Sequence, residues 1–542
     1  MHEFLNKVVP SPDTAAAYRR QGWWREETFV DDLRRRAKEA PHRPAFVGWR
    51  HGSESEDVFT FEDWATQTAR FAAGLKELGV RMGQPVVYQL PSWWEAAVLT
   101  TACMWLGAVA VPLSTVLRGR ELERVLSATD APVCVTVDAW QGHSHARMLA
   151  DLARRRPSLR RVVLGDSKST GAVDFDEIFT STGPGLPART LDPDRVAVAL
   201  FTSGTTGTAK GVLHSFNTLS TAIRASRGPS RPVRLTTTAP IAGAAGVHHL
   251  VLGPLVHGNT AIVAPRYDPG LLLDLMARRR TDRLLSCPPH LRELAEQQKA
   301  QPRPLALSSV LSAGSPLMRD DLALTRQELC DSVTNAWGMT EAMGSGCTTA
   351  GYPPDWAARS LGRPRPGLEV GLTRAEDLPD GTCGLRVRGP SVCLGTFARD
   401  TGTLTWDPAA TDGWLETGDL VRADGRGGYR YVGRVAERVS AGPMMIPAAD
   451  VENELRSHPS VRDVAVVGYI GPHGGERPCA VVVPEQHPPT LDQLRAYLTS
   501  TGMTENYQPT RLEIASHLPR NPMGKINKTL LRERIATGDL PL

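Results

Sequence analysis

Directly after the apolar run Val196-Ala197-Val198-Ala199-Leu200-Phe201, the chain reads Thr202-Ser203-Gly204-Thr205-Thr206-Gly207-Thr208-Ala209-Lys210-Gly211. A strand-forming run that breaks into glycines and hydroxyls constrains the fold strongly. The run has to be buried, and the chain has to leave it through a bend that small residues allow. Backbone N–H groups in such a bend come close to an anion, Ser203, Thr205 and Thr206 add hydroxyl donors, and Lys210 adds a positive charge. The set fits a polyphosphate. It is not the Walker pattern, in which Lys-Ser/Thr follows the last glycine directly. Taken alone, it is also what a flexible Gly/Thr turn looks like.

Strand and helix signals alternate around this loop. Thr60-Phe61-Glu62-Asp63 has capping-box spacing, and the helix after it places Trp64, Phe71, Leu75 and Leu78 on one face. Arg161 to Gly165 reads as a short strand, and Leu271 to Arg280 as a helix. Such alternation implies an α/β fold with parallel sheets covered by helices. The segment 96–117 carries no charge over nearly the length of a membrane span. Gly107, Pro112 and the strand-like Val109-Ala110-Val111 make it a buried helix running into a buried strand, so no membrane association is expected. After Asp407 the texture becomes rich in Gly and Asp. A last block follows, with helices at 449–457, 491–498 and 528–535 and strands at 463–469 and 479–484. Two domains are therefore expected, 1–436 and 437–542, the second a small α+β unit.

The 542 residues exceed one compact core, and a formal charge of +4 is small for that length. The arginine triplets 34–36, 154–156 and 278–280 are scattered and lack interleaved aromatics, so no nucleic-acid partner is expected. Eight cysteines without a C-x-x-C pair suit reduced buried thiols rather than a zinc site. With no basic-then-apolar N-terminal pattern, a cytoplasmic location is expected.

Further segments carry chemistry. Asn335-Ala336-Trp337-Gly338-Met339-Thr340-Glu341 offers an aromatic platform, a hydroxyl and a carboxylate. Glu416-Thr417-Gly418-Asp419 offers a carboxylate suited to paired ribose hydroxyls, and Gly433-Arg434 a guanidinium. Asn521-Pro522-Met523-Gly524-Lys525-Ile526 puts one lysine after a Pro/Gly turn. Each is individually an ordinary surface loop, but their joint occurrence in this order is not. Together they resemble the AMP-forming acyl and aryl ligases of the adenylate-forming superfamily, which includes acyl-CoA synthetases, nonribosomal adenylation domains and luciferases. The resemblance covers nearly the whole chain. The opening helices and the 442–452 region look most like cyclohexanecarboxylate- and benzoate-type CoA ligases.

The resemblance implies a large N-terminal domain of two α/β subdomains plus a small β-barrel, followed by a small mobile α+β C-terminal domain. It implies ATP, Mg²⁺ and CoA. Thr202, Ser203, Gly204, Thr205, Thr206, Gly207 and Lys210 correspond to the phosphate loop. Gly314, Ser315, Pro316, Asn335, Ala336, Trp337 and Gly338 border adenine, with Trp337 stacking on it. Thr340 touches the α-phosphate, Glu341 holds the metal, and Asp419 binds ribose with Tyr431 and Arg434 nearby. Lys525 bridges carboxylate and α-phosphate. Gly243, Ala244, Gly246, Val247, His248, Gly338 and Met343 border the acyl group. Glu437 is the hinge, and Gly442 lines the pantetheine tunnel.

Three departures qualify the resemblance. Gly243 stands where the family has an aromatic residue or histidine, which points to a bulky acid. His248 and His249, shortly after, are the kind of histidines that more often belong to a core than to a ligand site. No acid near Gly243 awaits an α-amino group, so an amino-acid substrate is not expected. The hinge reads Gly433-Arg434-Val435-Ala436-Glu437, then Ala441-Gly442-Pro443-Met444-Met445-Ile446-Pro447, which is degenerate. The expected function is an acyl-CoA ligase for a bulky hydrophobic, non-amino acid, alicyclic, polycyclic or aryl, of secondary metabolism. The alternatives are a specialist in one half-reaction or a non-catalytic nucleotide-binding relative. The acceptor is CoA or a carrier protein, and the oligomeric state is left open, a homodimer included.

Overall fold

The computed structural model describes residues 8–179, 190–202, 210–226, 231–314, 317, 319–349, 352–373, 383–398, 401–434, 439–441, 444–446, 448–471, 475–519, 526 and 528–538. The chain folds as the mixed α/β architecture expected, with a large N-terminal domain and a smaller C-terminal one.

Two nine-stranded sheets dominate the described residues. The first has the parallel strands Val109–Pro112, Pro85–Gln89, Val133–Val137 and Arg160–Leu164 at its centre. Beside Val109–Pro112 lies Val196–Thr202, then Lys210–Ser215 antiparallel to it. The second sheet runs Val333–Trp337, Ser309–Ala313, Arg283–Ser286, Arg234–Thr237, Thr260–Ile262, with these strands parallel. A third, four-stranded antiparallel sheet is built from Glu369–Thr373, Cys383–Arg388, Leu415–Ala423 and Tyr429–Arg434.

The first half of the uncharged segment belongs to a helix, Trp94–Leu106, buried at every residue. It stops at Gly107, whose φ of 79° supplies the left-handed cap, and enters the strand Val109–Pro112. Among the described residues no helix is long and apolar enough to cross a membrane. The Thr60 capping box forms as expected: Thr60 Oγ1 accepts from Asp63 N at 3.1 Å, and the Asp63 carboxylate accepts from Thr60 N at 3.0 Å.

The C-terminal part holds its own core around Val464, Val466, Ala480, Val482, Leu494 and Leu498. A three-stranded sheet, Val461–Ile470, Glu476–Pro484 and Arg511–Ile514, carries helices on both faces. It docks on the N-terminal helix Gly119–Thr129. Arg120 pairs with Glu454, and Thr504 Oγ1 donates to Glu121 at 2.8 Å.

Candidate active site

The three sheets meet at one place, and the residues picked out from the sequence do the joining. Thr202 and Lys210 face each other across the two strands that flank the Gly/Thr loop. Lys210 Nζ reaches the second sheet, 2.5 Å from Glu341 Oε1, with the glutamate almost wholly buried. Glu341 follows the end of the strand Val333–Trp337. Trp337, the last residue of that strand, donates its indole N–H to Asp419 Oδ2 of the third sheet at 2.8 Å. Asp419 is buried, its N–H donates to Thr417 Oγ1, and Arg434 faces it on the neighbouring strand.

The Thr340–Glu341 turn is held from two sides. His214, four residues beyond Lys210, is fully buried and donates Nε2–H to Thr340 O at 2.8 Å, while Nδ1 lies 3.0 Å from Thr218 Oγ1. Burial pushes the imidazole down to about 4, so it is neutral and Nδ1 accepts from the threonine. Glu341 O accepts from Cys393 N at 2.7 Å. Neither His214 nor Cys393 stood out in the sequence. Gly211 has a packing reason as well as a loop reason: a Cβ there would overlap the ring of Phe397, which is fully buried.

The central strands of the second sheet are parallel, so their carboxyl ends lie together. Ala313 sits beside Ala336, which brings Gly314, with φ of 97°, next to the Trp337 loop. The carboxyl ends of parallel strands are where α/β sheets bind ligands. Thr237 ends a neighbouring strand, and the segment 238–247 leaves from the same edge. Asn335 spends its side-chain N–H on Ser360 O at 3.0 Å, so it fixes the turn beside this edge. Tyr431 is exposed on the third sheet.

The acyl-segment glycines divide sharply. A Cβ on Gly246 would overlap Pro240 O, so glycine is forced there. A Cβ on Gly243 would meet Pro240 O at 3.4 Å and Pro240 Cγ at 3.9 Å, ordinary contacts, with space beyond. Gly338 is forced too, since a Cβ would lie 2.7 Å from Gly344 Cα. Ile241, Val247 and Met343 belong to one buried cluster, with Ala244 packed against it. The chain from Val247 to Leu252 is a π-helix, a winding frequent at functional sites. Gly243→Trp is therefore expected to fold and to narrow the range of accepted acids, while Gly246→Ala lowers stability by about 1–3 kcal/mol. Thermal melts of both variants and kcat/KM across acids of graded size check this. Undiminished turnover of the largest acid by Gly243→Trp removes Gly243 from the acyl site.

Ser203, Gly204, Thr205, Thr206, Gly207, Ser315, Pro316, Glu437, Gly442 and Lys525 lie outside the described residues, as does the side chain of Arg434.

Residues 33–397 match the family model described as AMP-binding enzyme, and residues 450–525 match the AMP-binding enzyme C-terminal domain. The salicyl-AMP ligase / salicyl-S-ArCP synthetase of Mycobacterium tuberculosis is 30% identical, over 98% of this chain and 96% of that protein. A feruloyl-CoA synthase of Amycolatopsis sp. is 31% identical, over 92% and 97%. Among solved structures, the amide bond synthetase McbA from Marinactinospora thermotolerans superposes with a TM-score of 0.78 at 26% identity, covering 94% of this chain and 99% of that one. The chain belongs to the AMP-binding enzyme family, the adenylate-forming superfamily of acyl and aryl ligases.

Proposed function

We propose that this AMP-forming carboxylate–CoA ligase activates a bulky, largely apolar, non-amino acid, alicyclic, polycyclic or aryl, and transfers it to CoA. The observation that carries the reading is the junction of three sheets, where Lys210, Glu341, Trp337 and Asp419 come together through the 2.5 Å and 2.8 Å contacts. That convergence also argues against a non-catalytic relative. The open space at Gly243 supports a large acyl group.

A carboxylate is a poor acyl donor because its leaving group is oxide. Its attack on the α-phosphorus of ATP expels pyrophosphate and leaves AMP as the leaving group for the next step. Two anions must approach, so cations and N–H donors have to screen them. We assign the loop 202–210 to the phosphates, Thr340 to the α-phosphate, Asp419 with Tyr431 and Arg434 to ribose, and Trp337 with Gly314, Ser315, Pro316 and Asn335 to adenine. The buried Glu341 carboxylate, whose present partner is an ammonium, fits a hard dication such as Mg²⁺, held by one carboxylate and substrate phosphates. Mg²⁺ bound there supplies charge neutralisation. Lys525 acts in adenylation, Glu437 is the hinge, and Gly442 meets pantetheine, with the domain boundary at 436/437.

A second reading follows from the loop Ala441-Gly442-Pro443-Met444-Met445, in which Pro443 removes an N–H donor. On this reading the acyl-adenylate passes to an acceptor other than CoA, a carrier protein or an amine. The test for both is mass spectrometry of products from acid and ATP, with and without CoA, beside pyrophosphate release. Acyl-CoA formation supports the ligase. Adenylate that accumulates without thioester sinks the CoA step and favours the second reading.

A further inference from the structure

Arg365 follows the short strand Arg363–Pro364. Its backbone N–H donates to Ser345 O at 2.8 Å, which fixes it beside the turn that contains Met343 and Gly344. A Cβ on Gly344 would sit 3.8 Å from Arg365 Nε, and Gly344 itself is packed on Gly338. The Nε end of the guanidinium thus lies at the turn 343–345, next in sequence to Met343 of the proposed acyl site.

The side chain is short of partners. One N–H, from Nη1, reaches Ala225 O at 3.4 Å, at the end of the helix Phe216–Ala225. That is the long limit of a hydrogen bond, and a guanidinium has five N–H donors to place. Nε is buried without a partner. Burial pushes the guanidinium down from its usual value, and the Cys347 thiol opposes that. Arg25, Arg120 and Arg292, by contrast, pair with Asp32, Glu454 and Asp321. The charge of Arg365 reaches His248 and His249, whose rings are 4.4 Å apart. Burial first, and that charge with it, keeps both imidazoles neutral. Among the described residues, a cation and two neutral rings are gathered here with no acid paired to the guanidinium. Arg365 is half-buried with its Nε covered, and a partly desolvated cation without a counter-ion gains from a ligand that brings the anion.

We propose that Arg365 is a specificity-determining residue of the acyl site, and that the acid carries a second, ionised carboxylate at the end of its ring body away from the reacting carboxyl. The second carboxylate pairs with the guanidinium, while the space at Gly243 takes the ring. This rests on the ligase reading and narrows its substrate class to dicarboxylic acids.

The test uses acids that share a ring: 1,4-cyclohexanedicarboxylate, its monomethyl ester and 4-methylcyclohexanecarboxylate, with terephthalate, its monomethyl ester and 4-methylbenzoate. Pyrophosphate release is expected to favour each diacid over both partners by roughly 10- to 100-fold in kcat/KM, the range of a charge-assisted hydrogen bond. Arg365→Met abolishes that ratio, and Arg365→Lys restores part of it, being a point charge without the fork. The ratio is read within each protein, so general damage from losing the Ala225 contact cancels, and calorimetric AMP binding reports an intact fold. If Arg365→Met does not fold, the wild-type ratio decides. Equal turnover of diacid and methyl acid overturns the proposal and leaves the ligase intact. So does equal turnover of diacid and ester, or a preference that survives Arg365→Met. Absence of pyrophosphate release from every carboxylic acid tried overturns the ligase reading as well.

Discussion

Lys525→Ala is expected to slow acyl-adenylate formation by about 10²–10³-fold, the usual cost of one transition-state donor, while conversion of supplied acyl-adenylate to thioester stays within a few fold. The lysines of residues 437–542 are Lys525 and Lys528. The structure commits the second elsewhere: Lys528 Nζ lies 2.6 Å from Glu452 Oε1, which also accepts from Val466 N at 2.6 Å. Lys525 is the lysine to which the proposed function assigns the reaction. Ile526, next to it in sequence, packs on the core of the three-stranded sheet. A charge needed only while two anions meet raises the rate of that step and no other. Single-turnover assays of the two half-reactions check this, with Lys528→Ala as the control. Lys528→Ala is expected to lower the melting temperature and to leave the ratio of the half-reactions unchanged. Equal loss of both half-reactions in Lys525→Ala would falsify the assignment.

Glu341→Gln acts on two levels. It removes the hard oxygen ligand proposed for Mg²⁺, and adenylation is expected to fall by roughly 10²-fold or more, with a rightward shift in its magnesium dependence. It also strands Lys210, which is only 18% exposed. Breaking a buried ion pair by removing one partner costs about 3–5 kcal/mol, and the residual exposure of Lys210 places the loss below that range. Lys210→Met combined with Glu341→Gln is therefore expected to regain part of the melting temperature and none of the activity. Thermal melts and magnesium titrations of the single and double variants separate the two effects. A variant with unchanged magnesium dependence removes Glu341 from the metal site.

Several elements were legible because their causes are local. The Thr60 box needs a hydroxyl and a carboxylate three residues apart, and both are adjacent in sequence. The C-terminal helices and strands follow hydrophobic periodicity, and their ends shift by only a few residues, as in Val461–Ile470 and Glu476–Pro484. The strand Arg511–Ile514 went unread because four residues of mixed polarity form a strand only when Glu476–Pro484 offers a parallel edge. The segment after Gly246 looks like strand or helix by pattern, and packing against the strand Arg234–Thr237 and the helix Trp94–Leu106 accompanies its π winding.

The sequence by itself determined the chemistry. The order of loop, Trp337-Gly338-Met339-Thr340-Glu341, Asp419, Arg434 and Lys525 identifies an adenylate-forming ligase, because residue type and spacing within each segment set what its backbone and side chains can bind. What only the tertiary structure decided is how those segments hold one another. Lys210 on Glu341, His214 on Thr340 and Trp337 on Asp419 join residues 131, 126 and 82 positions apart. The distinction between Gly243, which has room, and Gly246, which has none, rests on where Pro240 O falls. The same holds for Arg365, an ordinary surface residue by its sequence neighbours, which the junction of strand, turn and helix end half-buries with no acid paired to it among the described residues. Such facts depend on contacts between distant segments, and no local pattern encodes whether a side chain finds a partner.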